Sequence, residues 1–254
     1  MRPNRLLYST MGLLSATTLL AACSASGGAS QTWDYEVMGV HARSYVGDTA
    51  QLYADFIVED QSVEVSLREW ERWEPGEILE NLRTNEDLRQ AIAEAEVITY
   101  DFAFDWQNRS QNLFLTGLCG GVENQDCLRE DLQQAEQDWS GILDLITELR
   151  AGSPVLLRVL LHGDWFFDYP FWNPTPEQKA IMADYYHQLQ TYALQDAARR
   201  GVPVVQVFPE PYFNESGPPA EYFLTDGIRL SDEGSLALAE LLRDMGYEPV
   251  TLED

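Results

Sequence analysis

The segment just before the last predicted helix carries two residues of opposite charge. Asp226 opens an Asp-Gly turn, and Arg229 follows three residues later, just ahead of a capped helix. Arginine stays protonated at any accessible pH and cannot accept a proton. The pair therefore predicts charge neutralisation between Asp226 and Arg229 in place of base catalysis.

Four more side chains that could bind a metal or move a proton follow predicted strands: His41, Glu69, Asp105 and His162. The first three could gather a divalent metal together with Asp226, since imidazole and carboxylate are metal ligands. Neutralisation of Asp226 by Arg229 is the simpler arrangement, and we expect neither a metal nor another cofactor. His162 could act as a base, or it could lie in a loop with its ring hydrogen-bonded to nearby carbonyls.

Two hydroxyl side chains, Ser44 and Thr49, are candidate nucleophiles. A hydroxyl needs a neutral base within hydrogen-bond reach, and His162 is the histidine that could supply one. Thr49 ends a Gly-Asp-Thr triplet, which also suits the start of a helix with Asp48 or Thr49 as the cap. Capping is the interpretation that we favour for Thr49.

Short apolar strands alternate with helices along the chain, and these elements would position the residues named above. Strands are predicted at residues 35–39, 63–67, 97–102, 155–161 and 202–208, and the main helices at 49–59, 78–82, 88–95, 128–149, 176–200 and 231–245. Such alternation predicts an α/β fold, a three-layer α/β/α sandwich with a five-stranded parallel sheet and right-handed crossovers. Ligands of these sheets bind beyond the carboxyl ends of the strands, where the candidate residues would lie.

The Asp-Gly turn, the charged residue three positions on and the capped helix resemble the last sequence block of the SGNH/GDSL hydrolase family. That block reads Asp-x-x-His in the family, whose fold is a flavodoxin-like three-layer sandwich. Asp226 matches the aspartate, and Arg229 stands where the resemblance places the basic histidine. The resemblance runs in order through nearly all of the chain after the leader. The stretch from Cys119 to Arg129 also resembles one bacterial branch of these hydrolases.

The other blocks of the family are substituted as well. The resemblance places the serine nucleophile at His41, the first oxyanion donor at Glu69 (or Arg72) and the second, an asparagine, at Asp105. His41 has no hydroxyl, and Asp105 would bring negative charge where developing negative charge must be stabilised. With Arg229 unable to act as a base, the resemblance implies the fold of these hydrolases without their serine–histidine mechanism.

The first 22 residues have the features of a lipoprotein signal peptide. Arg2 and Arg5 precede a short apolar stretch that ends in Leu-Ala-Ala-Cys at Cys23, and a Ser/Gly-rich run follows. The apolar stretch is too short for a stable membrane span. We expect cleavage before Cys23, acylation of its thiol, a tether over residues 23–32 and one hydrolase-like domain over residues 33–254. The protein would then be exported and lipid-anchored to the bacterial cell envelope.

The remaining cysteines, Cys119 and Cys127, lie eight residues apart. Disulfides persist outside the cytoplasm, whereas two thiolates without a neighbouring histidine or further cysteine make a poor zinc site. We therefore predict a disulfide between them.

The chain is strongly acidic, with a formal net charge of −26 over 254 residues. Such a surface repels the phosphates of nucleic acids, so we expect no nucleic-acid partner. The leading hypothesis is a monomeric, lipid-anchored protein that binds a glycan, a lipid or an ester at a degenerate site. The competing hypothesis is an active esterase with a relocated nucleophile, Ser44 or Thr49, and His162 as the base. A third is a scaffold whose acidic surface binds a partner protein.

Overall fold

A parallel sheet of five strands lies at the centre of the part of the chain that the structure describes. The structure is a computed structural model, and it describes residues 31–39, 47–70, 74–102, 110–162, 174–207, 220–224 and 229–252. The strands are β1 (Thr32–Gly39), β2 (Glu64–Glu69), β3 (Val97–Phe102), β4 (Leu156–His162) and β5 (Val204–Val207). They pair in the order β2-β1-β3-β4-β5, and every pairing is parallel. The predicted five-stranded parallel sheet is confirmed.

Helices cover both faces of the sheet. They are α1 (Thr49–Gln61), α2 (Pro75–Thr84), α3 (Glu86–Glu94), α4 (Ser110–Leu115), α5 (Asp126–Arg150), α6 (Pro176–Arg200) and α7 (Asp232–Asp244). Short 3₁₀ helices occur at Val122–Asn124 and Ala220–Tyr222. The predicted three-layer α/β/α architecture is thus confirmed.

Two apolar cores, one on each face, hold the layers together. Side chains alternate along β1, so that Tyr35 and Val37 pack with α1 and α7 while Met38 packs with the helices of the other face. Trp139 of α5 is the largest fully buried side chain of the second core. Its indole N–H donates to Asp196 Oδ2 of α6 at 3.0 Å, which satisfies the polar end of an otherwise apolar ring.

Local signals account for the helix starts. Pro75 and Pro176 occupy the first turns of α2 and α6, where the missing N–H costs no hydrogen bond. The Thr175 hydroxyl accepts from the N–H of Gln178, whose side chain reaches back to the Thr175 N–H. This reciprocal capping satisfies two donors that the helix leaves unpaired.

Candidate functional site

The carboxyl ends of the five strands form one edge of the sheet, and this rim is where the sequence places the functional residues. In spatial order the strands end at Glu69, Gly39, Phe102, His162 and Val207. The register confirms that these ends are level: Val37 is opposite Glu69, Gly39 is opposite Asp101, and His162 is opposite Val207. The rim therefore brings together the strand ends that precede the candidate loops.

The centre of the rim is the contact between Gly39 and Asp101. Gly39 has a φ of +149°, and a Cβ built on it would lie 2.5 Å from the Cβ of Asp101 and 2.7 Å from its carbonyl oxygen. No side chain larger than hydrogen fits there, so the backbone of β1 can lie directly against β3. Asp101 itself is only 2% exposed. A buried carboxyl group therefore lies beside the last residue of β1, immediately before the loop that carries His41.

Asp101 is a rim residue that the sequence analysis did not single out. The sequence did contain a clue to Asp101. It is the only charged residue of the strand Val97–Phe102 and stands next to last in it. Buried charged groups are rare unless paired or functional, so an acid within a central strand was a usable clue. The neighbouring Tyr100 is fully buried, and burial, followed by the charges of Asp101 and Asp138, raises its pKa well above the ordinary value.

The start of α1 is attached to the start of α7. Thr49 is the first residue of α1 and is 2% exposed, and its hydroxyl donates to the carbonyl oxygen of Ser235 at 3.3 Å. The helix cap is Asp48, whose side chain makes no capping hydrogen bond. The structure thus places the cap at the first of the two predicted positions, and Thr49 begins the helix with its hydroxyl turned toward α7. The contact places the residues just before α1 next to the segment that precedes α7.

Just before α7, Phe223 and Leu224 pair with Arg229 and Leu230. The N–H of Leu224 donates to the carbonyl of Arg229 at 2.7 Å, and Phe223 forms an antiparallel bridge with Leu230. Ser231 then caps α7 by accepting from the N–H of Gly234 at 3.1 Å. The Arg229 residue is exposed. An exposed guanidinium thus stands at the position for which the resemblance implies a catalytic histidine.

Of the other predicted site residues, the structure describes two, Glu69 and His162. Glu69 is exposed at the end of the edge strand β2, and His162 is the last residue of β4. Six residues with a predicted chemical role lie outside the described residues: Cys23, His41, Ser44, Arg72, Asp105 and Asp226. The predicted Asp226–Arg229 pair and the predicted role of His162 stay predictions.

The described residues provide neither a metal site nor a membrane-spanning helix. No group of three or more His, Cys, Asp or Glu side chains among them could hold a metal ion. Three of the four residues in the metal alternative, His41, Asp105 and Asp226, belong to segments that are not described. None of the described helices is long and apolar enough to cross a membrane.

The predicted disulfide is confirmed. Cys119 and Cys127 are bonded, with their Cα atoms 5.0 Å apart, and both are buried. The bond ties the turn after α4 to the first turn of α5.

Three solved structures with a similar arrangement of strands and helices are described as lipases. A lipase from a goat rumen metagenome is 22% identical and aligns over 85% of this chain and 98% of its own, with a TM-score of 0.64. A structure described as a GDSL-like lipase, from Parabacteroides merdae, is 12% identical over 86% and 98%, with a TM-score of 0.55. An extracellular lipase of Streptomyces rimosus is 12% identical over 82% and 98%, with a TM-score of 0.51.

This chain has the SGNH/GDSL-hydrolase fold. No family model and no curated protein matches its sequence. At these identities the likeness shows the SGNH/GDSL fold alone, because one fold supports many functions and the function depends on the site. The substitutions at the rim therefore decide what this SGNH/GDSL-type domain does.

Proposed function

We propose that this chain is a lipid-anchored protein of the cell envelope whose SGNH/GDSL-type domain binds a ligand without hydrolysing it. The anchor is the acylated thiol of Cys23, at the end of the leader's Leu-Ala-Ala-Cys sequence. The ligand is a glycan, a lipid or an ester that enters the rim at the carboxyl ends of the strands. This proposal rests on what the rim offers chemically, since the fold is compatible with several functions.

Arg229 is the single observation that carries the proposal. The contact between Thr49 and Ser235 holds the start of α7 beside the start of α1, and Arg229 lies just before α7. A base at this place must accept a proton from a nucleophile, and a guanidinium cannot do so at any accessible pH. We expect the guanidinium to neutralise Asp226 instead, which leaves a pocket that binds without reacting.

The described geometry gives no support to a nucleophile at Thr49. Its hydroxyl is buried and donates to a backbone carbonyl in α7, so it is not presented to the rim. A nucleophile must reach both its base and the substrate carbonyl.

Labelling by a fluorophosphonate probe tests this proposal, because the probe reacts covalently with activated serine or threonine hydroxyls. We expect no labelling of the native protein above the level seen after heat denaturation. A serine hydrolase known to be active, mixed into the same reaction, controls for the potency of the probe. Rapid labelling that maps by mass spectrometry to Ser44 or Thr49 would establish the active-esterase alternative instead.

A further inference from the structure

A polar pocket opens on the face of the sheet that α3 covers, beside the edge strand β2. Its volume is about 420 Å³, which suits a small organic molecule. The residues that give the pocket its character come from β1, from the end of β2 and from α3: Asp34, Glu36, Arg68, Trp70, Asp87 and Glu94. None of them is a residue that the resemblance places in the hydrolase site, so the pocket is independent of the rim's chemistry.

Glu36 is the unusual member of this set. It is only 3% exposed, although it is an acid in the middle of a strand. The indole N–H of Trp70 donates to its Oε2 at 2.6 Å. No donor among the described residues reaches the other oxygen, Oε1, and Glu36 lines the pocket. One oxygen of this buried carboxylate is therefore held in place, and the other is available to an occupant of the pocket.

The nearest cation does not neutralise Glu36 directly. Arg68 is its partner in the parallel register, but the Arg68 guanidinium lies over the ring of Trp70, 5.4 Å from the centroid. The two side chains form no ion pair in the described part of the chain. Burial raises the pKa of Glu36, while the Trp70 hydrogen bond and the charge of Arg68 act in the opposite direction. A buried carboxylate is costly unless a cation or a full set of donors compensates it.

The mouth of the pocket is negatively charged, as is Glu36 when it is ionised. Asp34, Asp87 and Glu94 are exposed residues that line it, so four carboxylates face one guanidinium. Such a concave acidic surface concentrates cations and repels anions. Because no three of these acids approach closely enough to hold a metal ion, the chemistry favours an organic cation with several N–H donors.

We propose that this pocket binds a small alkylammonium ligand, with an ammonium group donating to Oε1 of Glu36 and an alkyl chain lying beside Trp70. The outer carboxylates attract the ligand and receive a second ammonium group in a diamine. The Trp70 indole keeps the Glu36 carboxylate oriented for this contact.

Isothermal titration calorimetry of the full-length protein with butane-1,4-diammonium tests the proposal. The neutral butane-1,4-diol has the same length and serves as the ligand control. Glu36→Gln keeps the shape of the side chain and an acceptor for Trp70 but removes the charge, so we expect binding to weaken by about tenfold or more. Glu130→Gln removes one charge from the exposed face of α5, and we expect its affinity to stay within about twofold of the parent's.

A second variant keeps the test decisive if Glu36→Gln should fold poorly. Asp87→Asn changes an exposed acid on α3 at the mouth of the pocket, and we expect it to weaken binding by about threefold without affecting stability. The proposal is overturned if the parent binds the diol as well as the diammonium, or if all variants bind the diammonium equally. It is also overturned if Mg²⁺ binds at the pocket and displaces the diammonium at equal concentration.

Discussion

Single side chains at the rim and beneath it carry the functional argument. Arg229 is a permanent cation where the resemblance implies a proton acceptor, and the hydroxyl of Thr49 donates to a carbonyl of α7. Gly39 and Asp101 meet at the centre of the rim with no space between them. A single substitution can therefore test the contribution of each residue.

Gly39→Ala tests the close approach of β1 to β3. The added Cβ would meet Asp101 at 2.5 Å, so we expect the free energy of unfolding to fall by about 2–3 kcal/mol. Gly152→Ala is the matched control, because Gly152 also has a positive φ, +78°, but no atom lies within 4 Å of its Cβ position. We expect a loss of about 1 kcal/mol there. Urea denaturation measures both values, and equal losses would show that backbone strain alone matters.

Glu36→Gln tests the energetic cost of the buried carboxyl group in the acidic pocket. Because burial raises the pKa of Glu36 in the folded state, its favourable contribution is present below the unfolded-state pKa and is lost as the pH rises through the folded-state pKa. Glutamine resembles the protonated form, so we expect the variant to be at least as stable as the parent at pH 7. The two should be alike at pH 4.

Urea denaturation at both pH values checks this expectation. Glu130→Gln provides the comparison, with no difference between the two pH values. A Glu36→Gln variant that is clearly less stable than the parent at pH 7 would mean that the ionised carboxylate stabilises the fold. The main role of Glu36 would then be to stabilise the fold.

The sequence alone excludes Arg229 as a base, but it does not reveal the buried acids. The meaning of Arg229 follows from its residue type alone, since no environment makes arginine a useful base. Asp101 and Glu36 depend on contacts between residues far apart in the chain, such as Gly39 with Asp101 and Trp70 with Glu36. Residue type and spacing give no account of which acids a sheet will bury.

At the scale of elements, periodicity and capping signals were sufficient for the main features. β3 and α6 have the predicted bounds, because a run of buried strand residues and a Thr-Pro helix start are strong local signals. β1 begins at Thr32, three residues before its predicted start, because Thr32 and Asp34 are polar and exposed yet pair with β2. The helix α4 (Ser110–Leu115) was not predicted, since six residues carry too little periodicity to be recognised.

The disulfide is an element-scale device that ties α4 to α5. Replacing both cysteines, Cys119→Ser with Cys127→Ser, frees a short loop in the unfolded chain. We expect the free energy of unfolding to fall by about 2–3 kcal/mol through the greater entropy of the unfolded state. Denaturation of the double variant, compared with the parent under non-reducing conditions, gives the value. A loss below about 0.5 kcal/mol would assign the loop no role in stability.

At the scale of the whole molecule, our proposal is that lipid holds the protein at a membrane, because the leader ends in Leu-Ala-Ala-Cys. A net charge of −26 opposes contact with anionic headgroups, so attachment would depend on the anchor. We therefore expect Cys23→Ser to lose palmitate labelling and to partition into the aqueous phase in a detergent extraction. The parent is the control and should partition into the detergent phase. Unchanged partitioning of the variant would contradict the predicted anchor.

Turnover of short-chain nitrophenyl esters is the most direct test of the central claim, that this SGNH/GDSL-type domain does not hydrolyse esters by a serine–histidine mechanism. A general base contributes about 10²–10⁴ in rate, so its replacement by Arg229 alone would nearly abolish turnover. We expect the parent to be no faster than buffer, and Ser44→Ala, Thr49→Ala and His162→Ala to be indistinguishable from it. Turnover by the parent at ordinary esterase rates, abolished by any one of these three substitutions, would contradict the account and establish a relocated active site.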